Sequence, residues 1–292
     1  MNTQNPRQWS ERFTYDPAGN VTAVTTGFGT IPSTFDAANR ITSKGERTYD
    51  HDANGNLLTE TLGAMTLSHT YSPENRMVST VKQNPMALPE ASTEPYAAGY
   101  QYDGIGRRIG QHELIADHRH RAWEEERYTF YNGMGFEKSN AFEYVTKNRK
   151  KDLEHQYEYV YARGDLLWTL DSRRERNRRH HDEGTYFYQD QRGSTIATTL
   201  WDGRWAEEYK YSAYGSVYTG DTTQAQEILY SGKTRTQETG LYNYGFRDYN
   251  PHTKQWTTED PIRDGLNWFA MVNGDPVNYV DLWGLEEGSC ST

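Results

Sequence analysis

FTYDPAGNVTAV, residues 13–24, holds the pattern that decides the fold: Tyr15, then Asp16, a short variable stretch, Gly19-Asn20, and an alternating run. The layout returns four times within about 100 residues. The copies are STFDAANRIT (Phe35, Asp36, Asn39, Arg40), RTYDHDANGNLLTET (Tyr49, Asp50, Gly55, Asn56), HTYSPENRMVSTV (Tyr71, Asn75, Arg76) and YQYDGIGRRIGQ (Tyr102, Asp103, Gly106, Arg107). Each reads as strand, turn, strand. An aspartate can accept a bond from the amide two residues on, and Gly or Asn tolerates the positive φ of a tight turn. The flanking residues then alternate faces. One such unit cannot bury its aromatic, so neighbours must stack, and Tyr15, Phe35, Tyr49, Tyr71 and Tyr102 are expected to line one face. The aromatics stand 20, 14, 22 and 31 residues apart, too irregular for a strict solenoid.

Composition agrees with a β protein built on aromatics. Leu, Ile, Val and Phe supply only 43 of the 292 residues, while Tyr contributes 23 and Trp 8. Each aromatic buries roughly 150–250 Å² and favours strands, so a folded Tyr-rich sheet is expected despite a mean hydropathy of −1.00. The net charge of −10 argues against nucleic acid and anionic membranes, whose attraction rests on Lys and Arg. Cys290 is the only cysteine, which leaves no disulfide framework and no Cys-based zinc site. No run of 18 apolar residues offers a membrane span. MNTQNPRQWSERF at the start does not read as a secretory signal, so any export information is expected elsewhere.

The repeats resemble the YD repeats of Rhs and YD-repeat proteins, a family of bacterial toxin-encapsulating shells that also includes the teneurins. The match tightens downstream. TYFYQDQRGSTIATTLWDG (185–203), EEYKYSAYGSVY (207–218), YSGKTRTQETGLYNYGFRDYNP (230–251) and TTEDPIRDGLNWFAMVNGDPVNYVDLWGL (257–285) resemble successive blocks of the Rhs-associated core. The resemblance spans roughly residues 13–285. It implies an all-β fold in which hairpins form a large spiralling sheet, a partial hollow shell closed by the core. The expected divisions are degenerate repeats at 1–127, Tyr-rich hairpins with charged loops at 128–184, the core at 185–285 and a short tail at 286–292.

The resemblance also implies chemistry. Family cores end in an aspartic-protease-like self-cleavage site, and by motif position its two carboxylates are Asp260, in the D-P-I element, and Asp281, in the closing D-x-x-G-L. The scissile bond is then Leu285–Glu286. Two carboxylates held close cannot both ionise cheaply, so one keeps a proton while the other activates water. The chain departs from the family pattern at Leu282, where Pro is usual, and at Lys254-Gln255, where Gly-Arg is usual. Only EEGSCST follows Leu285, so the chain is expected to lack the C-terminal effector that family members carry there. The implied role is a shell fragment, secreted or at the cell surface, that encapsulates such an effector beside an N-terminal shell partner. A surface adhesion module, or an orphan fragment without catalysis, is the competing reading.

Other motifs carry less. Asp50-x-Asp52-x-Asn54-Gly55-Asn56 begins like an EF-hand loop, but Thr61 stands where the bidentate Glu belongs. His118 and His120 alternate on a charged strand, and His180-His181 sit in a charged loop, so no metal site and no cofactor is expected. The arginines at 173, 174, 176, 178 and 179 are interleaved with acids and read as exposed chain, whereas YEYVYARGDLLWTL (157–170) reads as a hairpin around Arg163-Gly164-Asp165. QNPMALPEASTEP (83–95), with three prolines and small residues, reads as a loop inserted in a repeat, and the charged segments 147–156 and 171–184 lack an apolar face and read as irregular. Trp201-Asp202-Gly203-Arg204-Trp205 reads as a type I′ hairpin.

Overall fold

A computed structural model describes residues 10–83, 96–116, 122–147, 149–174, 180–220, 228–285 and 287–289. His118, His120, Cys290, Glu286, most of the 83–95 segment and the arginines at 176, 178 and 179 lie outside them, as do the side chains of Arg174, His180 and His181. Seventeen strands, from β1 (Arg12–Tyr15) to β17 (Trp205–Glu208), form one sheet. Each strand pairs antiparallel with the next in sequence, a single long meander. Among the described residues no helix is long and apolar enough to cross a membrane.

Two kinds of turn alternate along the repeats. In one, an aspartate or serine side chain accepts from the amides two and four residues on: Asp16 from Ala18 and Asn20, Asp36 from Ala38 and Arg40, Ser72 from Glu74 and Arg76, Asp103 from Ile105 and Arg107. The residue three on takes positive φ: Gly19 at 82°, Asn39 at 65°, Asn75 at 58°, Gly106 at 90°. The other turn is a tight hairpin such as Gly45-Glu46 or Gly63-Ala64, with Gly at φ 56° and 58°. The third unit corrects the sequence reading. Its capping residue is Asp52, which takes the amides of Asn54 and Asn56, not Asp50. The true frame is His51-Asp52-Ala53-Asn54-Gly55-Asn56, and the Asp52 carboxylate that resembled a calcium ligand caps a turn.

A bulge commonly precedes these turns, between Thr14 and Tyr15, Thr34 and Phe35, Asp50 and His51, and Thr70 and Tyr71. Bulges re-aim a side chain, here the residue before the turn. The aromatics do not share one cluster, however. Phe35 and Tyr49 join Ile41 and Leu57; Tyr71 and Tyr102 join Met77, Tyr96 and Tyr100; Tyr15 stays 45% exposed.

Strands also run through charged stretches read as irregular. β12 (Lys138–Lys147), β13 (Lys150–Ala162), β14 (Asp165–Arg174) and β15 (His180–Gln189) are long and continuous. Cross-strand pairs replace apolar contacts there: Arg127 with Glu143 at 2.6 Å, His155 with Asp171 at 2.9 Å, Arg173 with Glu183 at 3.7 Å. With polar groups on both faces, hydrophobic alternation is no longer needed to hold a strand. At Trp201–Trp205 only Gly203, at φ 83°, is left-handed. A type I′ turn requires two such residues, so the turn type differs from the expectation, while the hairpin itself forms between Thr195–Leu200 and Trp205–Glu208.

The described residues of 209–285 carry only short strands and lie against the sheet along its length. Gln255 Oε1 accepts from the Ile41 amide at 3.1 Å, Leu57 N donates to Thr257 O at 2.8 Å, and Arg108 pairs with Asp248 at 3.0 Å. Thr195 N reaches Leu229 O at 3.1 Å. Contacts from β4 (Ile41–Lys44) to β16 (Thr195–Leu200) require the sheet to curl round this segment. Its core is tyrosine: 209, 214, 230, 242, 244 and 249, with Trp256, Val21 and Met271. Irregular backbone leaves carbonyls without ladder partners, and tyrosine hydroxyls serve them. Tyr230 donates to Ala213 O at 2.7 Å, Tyr242 to Gly215 O at 3.0 Å, and Tyr249 to Tyr214 O at 2.9 Å. A leucine could fill the volume but not the carbonyls.

Candidate functional site

Asp260 and Asp281 stand at the ends of two turns built like those of the repeats. Asp281 Oδ1 accepts from the amides of Trp283 at 2.9 Å, Gly284 at 2.6 Å and Leu285 at 3.2 Å, with Gly284 at φ 77°. Asp260 Oδ1 accepts from Ile262 N at 2.9 Å, and Arg263, three residues on, takes φ 54°. Asp260-Pro261-Ile262-Arg263 thus repeats the plan of Asp16-Pro17-Ala18-Gly19. Leu282 occupies the second place of its turn, which Pro17, Ala37, Ala53 and Gly104 fill elsewhere. That place tolerates many residues, so the missing proline costs the turn little.

What sets these turns apart is Arg247, buried beneath both. Its Nη2 lies 3.3 Å from Asp260 Oδ2 and 3.5 Å from Asp281 Oδ2. Nε donates to Gly284 O at 2.7 Å, Nη1 to Trp268 O at 3.2 Å, and the guanidinium covers Trp256 at 4.2 Å from the ring centre. Asp260, Asp281 and Arg247 are 6%, 4% and 5% exposed, so each charge depends on the others. Burial pushes the Asp260 carboxyl above its ordinary value; Arg247 and the Ile262 amide oppose this, and Asp281 adds to it. Lys233 completes the enclosure, donating to Leu282 O at 2.5 Å. Burial lowers its pKa to about 8 against the pull of Asp281.

The two carboxylates named from sequence therefore share one guanidinium, and the Leu285 amide is tied to Asp281. Glu286, the other side of the named bond, lies outside the described residues. Sequence reading missed Arg247 and Lys233. Arg247 stands in the quoted GLYNYGFRDYNP stretch, where nothing in the local spacing marks it. Lys254, noted as a departure from Gly, has φ 67°, the left-handed conformation a glycine would adopt freely. Its ammonium meets the buried Lys44, whose pKa is lowered to about 6 by burial and then by Lys254. Among the described residues no group of three His, Cys, Asp or Glu is arranged to hold a metal.

The meander of Asp-capped hairpins, curled round a tyrosine-rich closing segment, defines a repeat-built β-shell protein. The family model described as Teneurin YD-shell matches residues 2–270, and the chain belongs to that family. It is 36% identical over 115 residues to toxin subunit YenC1 of Yersinia entomophaga, covering 37% of this chain and 12% of that protein. Teneurin-3 of Danio rerio is 22% identical over 182 residues, 62% of this chain and 6% of its own length. Among solved structures, the Photorhabdus luminescens Tc holotoxin pore superposes with a TM-score of 0.75 at 21% identity, covering 94% of this chain and 13% of that one. That likeness is one of fold. The chain spans about an eighth or less of the length of these relatives.

Proposed function

We propose that this chain is a shell segment of a toxin-type YD-repeat system that encloses a C-terminal effector and severs it once, after Leu285. The observation that carries the reading is the burial of Asp260 and Asp281 on one arginine, with the chain entering Leu285 bonded to Asp281. Asp260, whose proton affinity is raised, serves as the acid. Asp281 takes a proton from water, and the water oxygen bonds to the Leu285 carbonyl carbon. The C–N bond to Glu286 then breaks, and the departing amine receives the Asp260 proton. Arg247 steadies whichever carboxylate is charged, and tethering replaces substrate binding. On this reading residues 185–285 close the shell, an N-terminal partner extends it, and the assembly acts outside the cell.

Intact mass of the purified protein beside Asp260→Asn and Asp281→Asn variants tests this. The expected result is loss of residues 286–292 from the wild type alone. A full-length mass in all three refutes self-cleavage. A second reading, a surface adhesion module, is favoured by Tyr186, Tyr188, Trp201 and Trp205, which are 46–63% exposed, since exposed aromatics make good anchors.

A further inference from the structure

A cavity of about 270 Å³ lies between the sheet and the closing segment, away from the aspartates. One wall is β10 (Arg108–Ala116), β11 (Ala122–Tyr131), β12 and β13; the other runs from Thr234 to Glu238. Its two ends have opposite character. At one end Glu113 and Glu125 are direct cross-strand partners, both lining the cavity. Like charges so placed repel, and among the described residues no cation pairs with either. Their bonds come from neutral groups: Glu113 accepts from Tyr96 Oη at 2.5 Å and Gln111 Nε2 at 2.6 Å, Glu125 from Trp123 Nε1 at 2.7 Å. Burial raises the Glu125 pKa, with Glu143 and Glu113 adding to it against the Trp123 bond.

Toward the other end, at the start of β10, stands Arg108, and Arg235 lines the cavity from the opposite wall. The Arg108 side chain is 10% exposed, paired with Asp248 and laid over Tyr100 at 4.0 Å, yet its buried Nε has no hydrogen-bond partner. A buried donor left unmet costs about 1–3 kcal/mol. Arg235 has no carboxylate partner among the described residues. Between the ends Arg127 and Glu143 neutralise each other at 2.6 Å. The five-residue step from Arg108 to Glu113 covers roughly 17 Å of strand at about 3.4 Å per residue. A three-residue peptide spans about 10 Å, a length that the long side chains of Arg108 and Glu113 can reach from either side.

We propose that this cavity binds a short zwitterionic peptide, its ammonium group against Glu113 and Glu125 and its carboxylate against Arg108 and Arg235. Such a ligand supplies the cation that the glutamates lack and the acceptor that Arg108 Nε lacks. The volume admits two or three small residues, not a folded segment. The proposal is independent of cleavage at Leu285.

Calorimetric titration of the full chain with trialanine, N-acetyl-trialanine and trialanine amide tests it. Trialanine is expected to bind, with each blocked form at least tenfold weaker. Glu125→Gln and Arg235→Gln are expected to weaken trialanine by at least tenfold. Glu125→Gln removes a buried charge and keeps an acceptor for Trp123, so its melting temperature should be unchanged or higher, separating lost binding from lost folding. Absence of trialanine binding overturns the proposal. So does equal binding of a blocked peptide, which would reduce the cavity to a site for a lone anion or a lone cation.

Discussion

The aspartate turns of the repeats and those of the closing segment share a backbone plan but not an environment. Asp36 and Asp103 hold an amide two residues on and an amide four residues on, with a partner arginine, Arg40 or Arg107, in the same turn at 2.7 Å. Burial pushes both carboxyls upward, but the bonds from those arginines outweigh it and hold both below 3.8. Asp260 has the same kind of turn and an arginine too, yet its pKa moves the other way. The difference is that Arg247 is shared with Asp281 and sealed from water. One local motif thus carries a carboxyl whose pKa is held down in the repeat turns and one whose pKa is pushed up by burial beside Arg247. The lesson is that turn chemistry places the carboxylate while burial and shared counter-charge set its proton affinity.

The largest way to break that contrast is Arg247→Met. It leaves Asp260 and Asp281 buried against each other without a cation, and breaking a buried ion pair costs about 3–5 kcal/mol. Urea unfolding should show a loss of that size, whereas Arg107→Met, in a repeat turn, should cost about 1 kcal/mol or less. Equal losses would erase the distinction between the two regions.

Glycine substitutions come next. Gly19 and Gly284 share positive φ, at 82° and 77°, so alanine at either is strained by roughly 1–2 kcal/mol. A Cβ at Gly19 meets nothing nearer than Asn273 O at 3.8 Å, but at Gly284 it comes within 3.1 Å of Arg247 N and 3.3 Å of Arg247 Cβ. Gly284→Ala should therefore lose more stability than Gly19→Ala in the same denaturation assay. It should also slow any cleavage at Leu285, because the chain is pushed off Arg247.

The repeat plan was legible because Asp, then Gly or Asn three residues on, is a local requirement of the turn. The same legibility misled at Tyr49-Asp50, which imitates an aromatic-Asp pair one strand-step early; only the hydrogen bonds of Asp52 reveal the frame. The strands in the described parts of 147–156 and 171–184 were hidden because their stability comes from cross-strand ion pairs, a property of register rather than composition. The kinship of Asp260-Pro261-Ile262-Arg263 with the repeats was masked by Arg263 in the place of glycine. Arg247 was illegible for a different reason. Its role depends on three segments, near residues 247, 260 and 281, meeting in space, and no local spacing encodes that meeting.

The smallest effect is the most discriminating, because the two turns predict opposite signs. A carboxyl whose pKa is lowered by folding contributes stability that is present above 3.8 and lost as pH falls through its folded value. Asp103→Asn should therefore lower the melting temperature at pH 7, and the deficit should shrink toward pH 3. A carboxyl whose pKa is raised contributes stability that is present below 3.8 and lost as pH rises through its folded value. Asp260→Asn should accordingly match the wild type near pH 3 and melt slightly higher at pH 7, since the neutral amide avoids the buried charge. Melting curves of the two variants across pH 3–7 should diverge in opposite directions from the wild type. If Asp260→Asn instead falls with Asp103→Asn at neutral pH, the Arg247 attraction outweighs burial. Asp260 is then an ionised cap like the others, and the acid in the cleavage scheme must be Asp281.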